Sequence, residues 1–352
     1  MMEEFLMSVQ TVMGKIEKED LGIVTPHEHI FLDLTSFFEE HPVRGCPNPS
    51  EDKVTMERLG VLRRDPYALK DNLILDDFDL QTKEIAAFRA AGGSTVVDAT
   101  MDGIGRDVRK LQAVSQKTGL NIVVGTGFYV GETHPAQLAD MSEDEIAAIM
   151  LRELKEGIQG TDIRAGFIGE IGISEIFDDK ERKVLRAAAI AQKETGVGLE
   201  VHINPWTTNG LEASDILLER GVDPQKICIC HSDVEDDKAY IDELLNRGLF
   251  IEFDNFGKEY FVDADVRRSG YGCFVSDLER VRLLKTLIDE GRLHQLLLSC
   301  DLCLKNLLTA YGGWGYDHVL TNIVPMMKEV GITEREIDVM LRDNPARFFD
   351  VP

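Results

Sequence analysis

The chain has 352 residues, 43% of them hydrophobic and 29% charged, a composition that supports a sizeable core under a charged surface. With 38 basic against 63 acidic side chains the formal charge is -25. That disfavours non-specific binding to nucleic acid or to an anionic membrane, because counterion release needs clustered Lys and Arg, but it leaves an anionic small substrate admissible.

The start Met1-Met2-Glu3-Glu4-Phe5 is acidic and lacks the basic leader of a signal peptide. No uncharged apolar run approaches the roughly 18 residues of a membrane span. The cysteines Cys46, Cys228, Cys230, Cys273, Cys300 and Cys303 form no dense secreted-type framework, so they read as reduced core thiols of a cytoplasmic protein. A four-thiolate zinc site from Cys228, Cys230, Cys300 and Cys303 is the less favoured alternative, since the sequence around the first pair reads as core.

Residues 1–22 read as an N-terminal hairpin or flap interrupted by Gly14, leading into a first strand near 22–29. Residues 33–78, with Pro42, Gly45, Pro47, Asn48, Pro49 and Pro66, form a long irregular region expected over the mouth of the fold. A helix over 79–91 stops at Gly92-Gly93. Strands then alternate with helices. The strands fall over 95–99, 121–127, 163–170, 197–202, 227–231, 249–254 and 295–301. Helices are expected over 107–117, 146–155, 178–195, 212–220 and 238–247, and after Ser276.

Ser142 with Glu145, and Ser276 with Glu279, have the spacing of capping boxes, and glycines such as Gly119 and Gly196 sit where helices end. The apolar runs Ile122-Val123-Val124 and Leu296-Leu297-Leu298 suit strands buried on both faces. The last piece, 333–341, ends near Asn344-Pro345 as a closing helix. No repeat, linker or composition break divides residues 1–352, so a single α/β domain is expected: a distorted (β/α)8 TIM barrel of the metal-dependent hydrolase type. A doubly wound sheet is the alternative, and would leave the metal-capable residues harder to gather.

Those residues stand at the expected strand ends: His27 and His29, Glu170, His202, His231 and Asp301. Two histidines at i and i+2 of an extended segment face the same side. Barrel enzymes assemble their chemistry at the carboxyl ends of the strands, so these dispersed positions would meet in one inward-facing cluster. Imidazoles and carboxylates are the ligand set of zinc, manganese, iron or cobalt. Four histidines and two carboxylates exceed the needs of one open catalytic ion and suit a pair of divalent ions, with zinc the first expectation. Glu170, mid-cluster, is the natural bridge. Asp301 is the candidate catalytic residue, orienting the water nucleophile and passing its proton to the leaving group. His41, His134, His294 and His318 read as surface or supporting residues.

The segments Gly22–His29, Gly125–Val130, Ala165–Gly172, Glu181–Ala187, Cys230–Asp233, Gly312–Tyr316 and Asn344–Phe349 together resemble the phosphotriesterase-related proteins of the amidohydrolase superfamily. The resemblance implies a distorted (β/α)8 barrel and a binuclear centre. His27, His29 and Asp301 would hold the buried ion, and His202 and His231 the more exposed one. The bridge is a carbamylated lysine in phosphotriesterase proper and a glutamate in the related branch, and Glu170 places this chain with the latter.

A hydroxide bridging two ions would attack the carbonyl of a carboxylic ester, a lactone or an N-acyl amide, in keeping with relatives that act on small anionic substrates. Phosphotriester hydrolysis and a non-catalytic binding protein are the alternatives, and retention of the whole ligand set with Asp301 argues against the latter. Tyr129, past the third barrel strand, and Lys258, Arg267 and Arg268, after the seventh, are the candidate substrate contacts, arginine pairing well with a planar anion. Lys305 is a weaker anion contact. Asp98 and Asp102 are candidates to support ligand histidines through hydrogen bonds. A homodimer is suggested by the resemblance alone.

Overall fold

The computed structural model describes residues 7–40, 46–235, 237–262 and 274–351. It opens with an antiparallel hairpin, β1 (Ser8–Thr11) and β2 (Gly14–Glu17). Next come β3 (Val24–Glu28), the two-residue strands β4 (Leu32–Asp33) and β5 (Ile74–Leu75), then β6 (Thr95–Asp98), β7 (Asn121–Thr126) and β8 (Phe167–Ile173). The last four are β9 (Leu199–Ile203), β10 (Ile227–Ile229), β11 (Phe250–Phe253) and β12 (Leu296–Leu298).

Eight of these form one sheet in the order β12-β11-β10-β9-β8-β7-β6-β3, with every pair parallel. Helices pack around it, and the architecture is a distorted (β/α)8 barrel. The strands are buried on both faces, which is why they read as continuous apolar runs rather than alternating ones.

The helices start where their caps put them. Ser142 accepts from the Glu145 amide and Ser276 from the Glu279 amide, while each glutamate reaches back to its serine. Together these boxes fix the helices Glu143–Lys155 and Asp277–Asp289. The closing segment runs on past the stop expected near Asn344-Pro345. The helix Glu334–Asp338 passes through a π turn, Val339–Asp343, into the helix Asn344–Phe349. Proline cannot donate to a helical ladder, and a π turn is the local widening that absorbs one missing bond.

One end of the barrel is plugged by an apolar layer. Val97, Val123, Phe167, Phe250 and Leu297 from the strands meet Val9 of the hairpin and Phe348 and Phe349 of the last helix. At the other end lies the excursion between β3 and β6. Its strands β4 and β5 pair with one another, and Val54, Leu62, Ala68 and Leu69 give it a small core of its own.

The barrel closes between β12 and β3 without a continuous ladder. The Asp301 amide donates to the His27 carbonyl at 3.2 Å. The Glu28 side chain does the rest, accepting from the amides of Cys300 (3.0 Å) and Leu302 (2.9 Å) and from the Thr25 hydroxyl (2.7 Å). A carboxylate thus stands in for missing strand pairing at the seam where His27, His29 and Asp301 meet. Burial pushes the Glu28 carboxyl up to about 7, against the pull of these three donors. Among the described residues no helix is long and apolar enough to cross a membrane.

Replacing Glu28 by alanine would strand two buried amides, each worth about 1–3 kcal/mol when left unpaired. Glu28→Ala is therefore expected to lower unfolding free energy in urea by about 2–6 kcal/mol. A loss below about 1 kcal/mol would show that backbone packing alone holds the seam.

Candidate metal centre

The six dispersed side chains converge at the open end of the barrel. Glu170 is at the middle. Its carboxylate lies 3.5 Å from His27 Nε2, 3.5 Å from His29 Nε2, 3.1 Å from His202 Nδ1 and 3.7 Å from His231 Nε2. Asp301 approaches the same imidazoles, at 3.1 Å from His29 Nε2 and 3.9 Å from both His27 Nε2 and His231 Nδ1. Only 2.8 Å separates His202 Nδ1 from His231 Nε2.

Local backbone sets this arrangement. β8 runs on to Ile173, so Glu170 lies within the strand rather than at its end, beside an irregularity in the β8–β9 register between Ile168 and Ile171. Close packing holds it there. A Cβ on Gly125 would stand 1.9 Å from the Gly169 carbonyl, and one on Gly172 would stand 2.1 Å from the Val130 amide. His231 and Asp301 occupy the left-handed region, with φ of 57° and 42°. Non-glycine residues seldom do so unless the surroundings over-determine them, as at ligand clamps.

Behind the imidazoles stands a set of partners. His27 Nδ1 is 3.2 Å from Glu252, His29 Nδ1 is 2.9 Å from the Thr100 hydroxyl, and His231 Nδ1 is 3.0 Å from Asp254. Such groups orient a ligating ring and select its tautomer. Asp98 acts one step further back, accepting from the amides of Ile30 and Thr100. Asp102 is exposed and meets Gln159, away from the histidines. Glu252 and Asp254 carried a signal of their own: two carboxylates at alternate positions of a buried strand share one face.

The charges are strongly coupled. Burial opposes ionisation of Glu170, but the imidazoles of His27, His202 and His231 hold it well below the usual carboxylate range. Burial likewise pulls His27 down, and Glu170, Glu252 and Asp301 outweigh it, holding that ring well above its ordinary value. His231 is raised to about 10 against burial, chiefly by Asp254. His202 is lowered by burial, aided by His231.

This donor set fits divalent cations. His27, His29 and Asp301 place ligand atoms within 4.8 Å of one another, as do His27, Glu170 and His231. The buried His27 Nε2 finds no hydrogen-bond partner among protein atoms, which suits a nitrogen reserved for a metal. Anionic Glu170 between both groups has the chemistry of a bridge.

The cluster floors a cavity of about 570 Å³. Its walls include Leu34, Phe37, Pro66 and Tyr67 from the excursion, with Tyr129 and Trp206. The Tyr129 hydroxyl lies 3.3 Å from His202 Nε2, and burial keeps its pKa well above the ordinary value. Lys258 Nζ donates to Asp301 Oδ2, and both side chains are buried. Burial opposes the charge on each, and their pairing overrides it, raising Lys258 and lowering Asp301. Arg267 and Arg268 lie outside the described residues. Lys305 is paired with Asp71 at 2.9 Å instead of facing the cavity.

Known proteins resemble the chain over nearly its whole length. The family described as the phosphotriesterase family matches residues 7–349. An N-acetyltaurine hydrolase of Danio rerio is 36% identical over 354 residues, covering 99% of each chain. A resiniferatoxin-binding protein from Rhodobacter sphaeroides superposes with a TM-score of 0.93 at 38% identity, over 97% of this chain and 94% of that one. A variant of a phosphotriesterase-like lactonase from Deinococcus radiodurans gives a TM-score of 0.76 at 32% identity, over 97% and 99%.

Removing only the central charge tests the bridge. Glu170→Gln is expected to weaken cation binding, followed by competition with a chromogenic chelator, by more than the roughly 100-fold that loss of an orienting partner costs. Unchanged affinity would deny Glu170 that position.

Proposed function

The chain belongs to the phosphotriesterase family and is a hydrolase, and from that premise we propose that it cleaves N-acyl amides of small acids with the help of two divalent cations, zinc first among them. What supports the reaction is the Glu170 carboxylate ringed by four imidazoles, with Asp301 on the rim. Bound there, the cations would polarise the scissile carbonyl and lower the pKa of the attacking water. His27, His29 and Asp301 would hold one of them and His202 and His231 the other, with Glu170 between.

The protein's own groups divide the remaining work. Asp301 meets Lys258 through Oδ2 and His29 of the cluster through Oδ1, so it can take the proton of the attacking water and carry it to the leaving nitrogen. Tyr129 stays protonated and lies beside His202, where its hydroxyl can donate to oxygen charge developing on the carbonyl. Lys258 and Lys180 are the cations among the described residues lining the cavity, and Lys258 is the buried one. A buried ammonium at the floor selects an anionic substrate, since it is already desolvated and held in place. The Danio rerio relative is named for N-acetyltaurine, an amide carrying an acid group, which agrees with that selection.

A lactone is the second reading, favoured by the Deinococcus radiodurans neighbour, because the same groups serve any acyl carbonyl. Phosphotriesters are a lesser fit, for the bridge here is Glu170.

Asp301→Asn is expected to lower kcat about 100-fold or more while circular dichroism stays native. Near-normal turnover would remove Asp301 from proton transfer. Lys258→Met is expected to reduce kcat/KM on N-acyl amino acids or sulfonates about 10–100-fold more than on an uncharged lactone. Equal losses on both substrates would show that Lys258 serves Asp301 and not the substrate's acid group.

A further inference from the structure

Directly beneath the cluster, the barrel interior departs from the bulky branched side chains that fill most such barrels. Glu200 of β9 and Glu252 of β11, each two residues before a residue of the site (His202 and Asp254), face inward, and Ser299 lies just past β12. Cys230, the residue after β10, adds a thiol. All four are buried, with Glu200 and Glu252 at 0% exposure. Below them begins the apolar floor of Phe167, Phe250 and Leu297.

Ligand atoms of Glu200, Cys230, Glu252 and His27 all lie within 4.8 Å of one another. His27 takes part through the ring edge opposite the upper cluster, Nδ1 being 3.2 Å from Glu252 Oε2. Independently, both carboxylate oxygens of Glu200 and Oε1 of Glu252 find no hydrogen-bond partner among protein atoms, nor does Ser299 Oγ. Fully desolvated carboxylates are costly unless paired, coordinated or protonated, and coordination is the one of these that also uses the neighbouring thiol. No lysine or arginine ion pair reaches either of them among the described residues.

We propose that Glu200, Glu252 and Cys230 bind a third divalent cation, of the thiol-accepting class typified by zinc, inside the barrel beneath the catalytic pair. Two oxygens of Glu200, the free oxygen of Glu252 and the Cys230 sulfur give a mixed oxygen and sulfur donor set that zinc or cobalt accepts. Glu252 keeps its other oxygen for the Nδ1–H of His27, so the deep ion would tie β9, β10 and β11 together and fix the ring that serves the upper site. Its role is structural: it touches neither cavity nor substrate.

Metal content and absorption test this without reference to turnover, so failure here leaves the hydrolase reading standing. The whole chain is loaded with cobalt and passed through buffer containing a weak chelator. It is expected to retain three equivalents and to show a thiolate-to-cobalt charge-transfer band in the near ultraviolet. Cys230→Ser should lose the band and one equivalent, and Glu200→Gln one equivalent. Cys303→Ser, which removes the thiol 3.9 Å from Asp301, should keep both signals. Two equivalents in the parent protein, absence of the band, or a band that survives Cys230→Ser would overturn the proposal. If neither variant at the deep site folds, the parent stoichiometry and band decide it.

Discussion

A single desolvated carboxylate organises this molecule. Glu170 has almost no access to water, and its compensation comes from imidazole nitrogens on four sides, delivered by β3 and the residue after it, β9 and the turn after β10. A buried charge of this kind is tolerated only where its partners are held rigidly. The barrel supplies that rigidity by closing around the cluster. Where the closure lacks strand pairing, Glu28 provides hydrogen bonds in its place. Left-handed conformations at His231 and Asp301 show the same priority, since backbone comfort yields to side-chain aim.

Acidity is layered along the barrel axis. Glu252 and Asp254 lie behind the histidines, and Glu170 and Asp301 lie among them. Each layer keeps the imidazoles of the next oriented, and protons or cations on those rings offset the accumulated negative charge. Lys258 is the counterweight at the cavity floor. On the proposed reading it connects the reaction to the choice of substrate, because the same ammonium that steadies Asp301 also greets an incoming anion.

Much of this was legible from residues alone. Strands buried on both faces appear as β-branched and leucine runs, and the serine–glutamate boxes mark helix starts by a local mechanism needing no tertiary knowledge. Histidines and acids recurring at strand ends announced a shared cluster, and the distances show that they meet. What stayed hidden depends on contacts far apart in the chain. Glu28 sits between two histidines and looks like part of their motif, yet its partner Cys300 is 272 residues away. Thr100 behind His29 is an ordinary residue until the rings are placed. The fourth barrel strand was read too early at both ends, 163–170 against the observed Phe167–Ile173, because close packing at Gly172 continues it past Glu170. Of the cations named after the seventh barrel strand, Lys258 is the one among the described residues, and its burial against Asp301 was not legible in the sequence.

Anomalous diffraction from crystals of the metal-loaded protein, recorded at the absorption edge of the bound element, most directly addresses the central claim. Two peaks should flank the Glu170 carboxylate, one within bonding distance of His27, His29 and Asp301 and the other of His202 and His231. A Glu170 carboxylate with no peak beside it, or with an ion on one side only, would contradict the account.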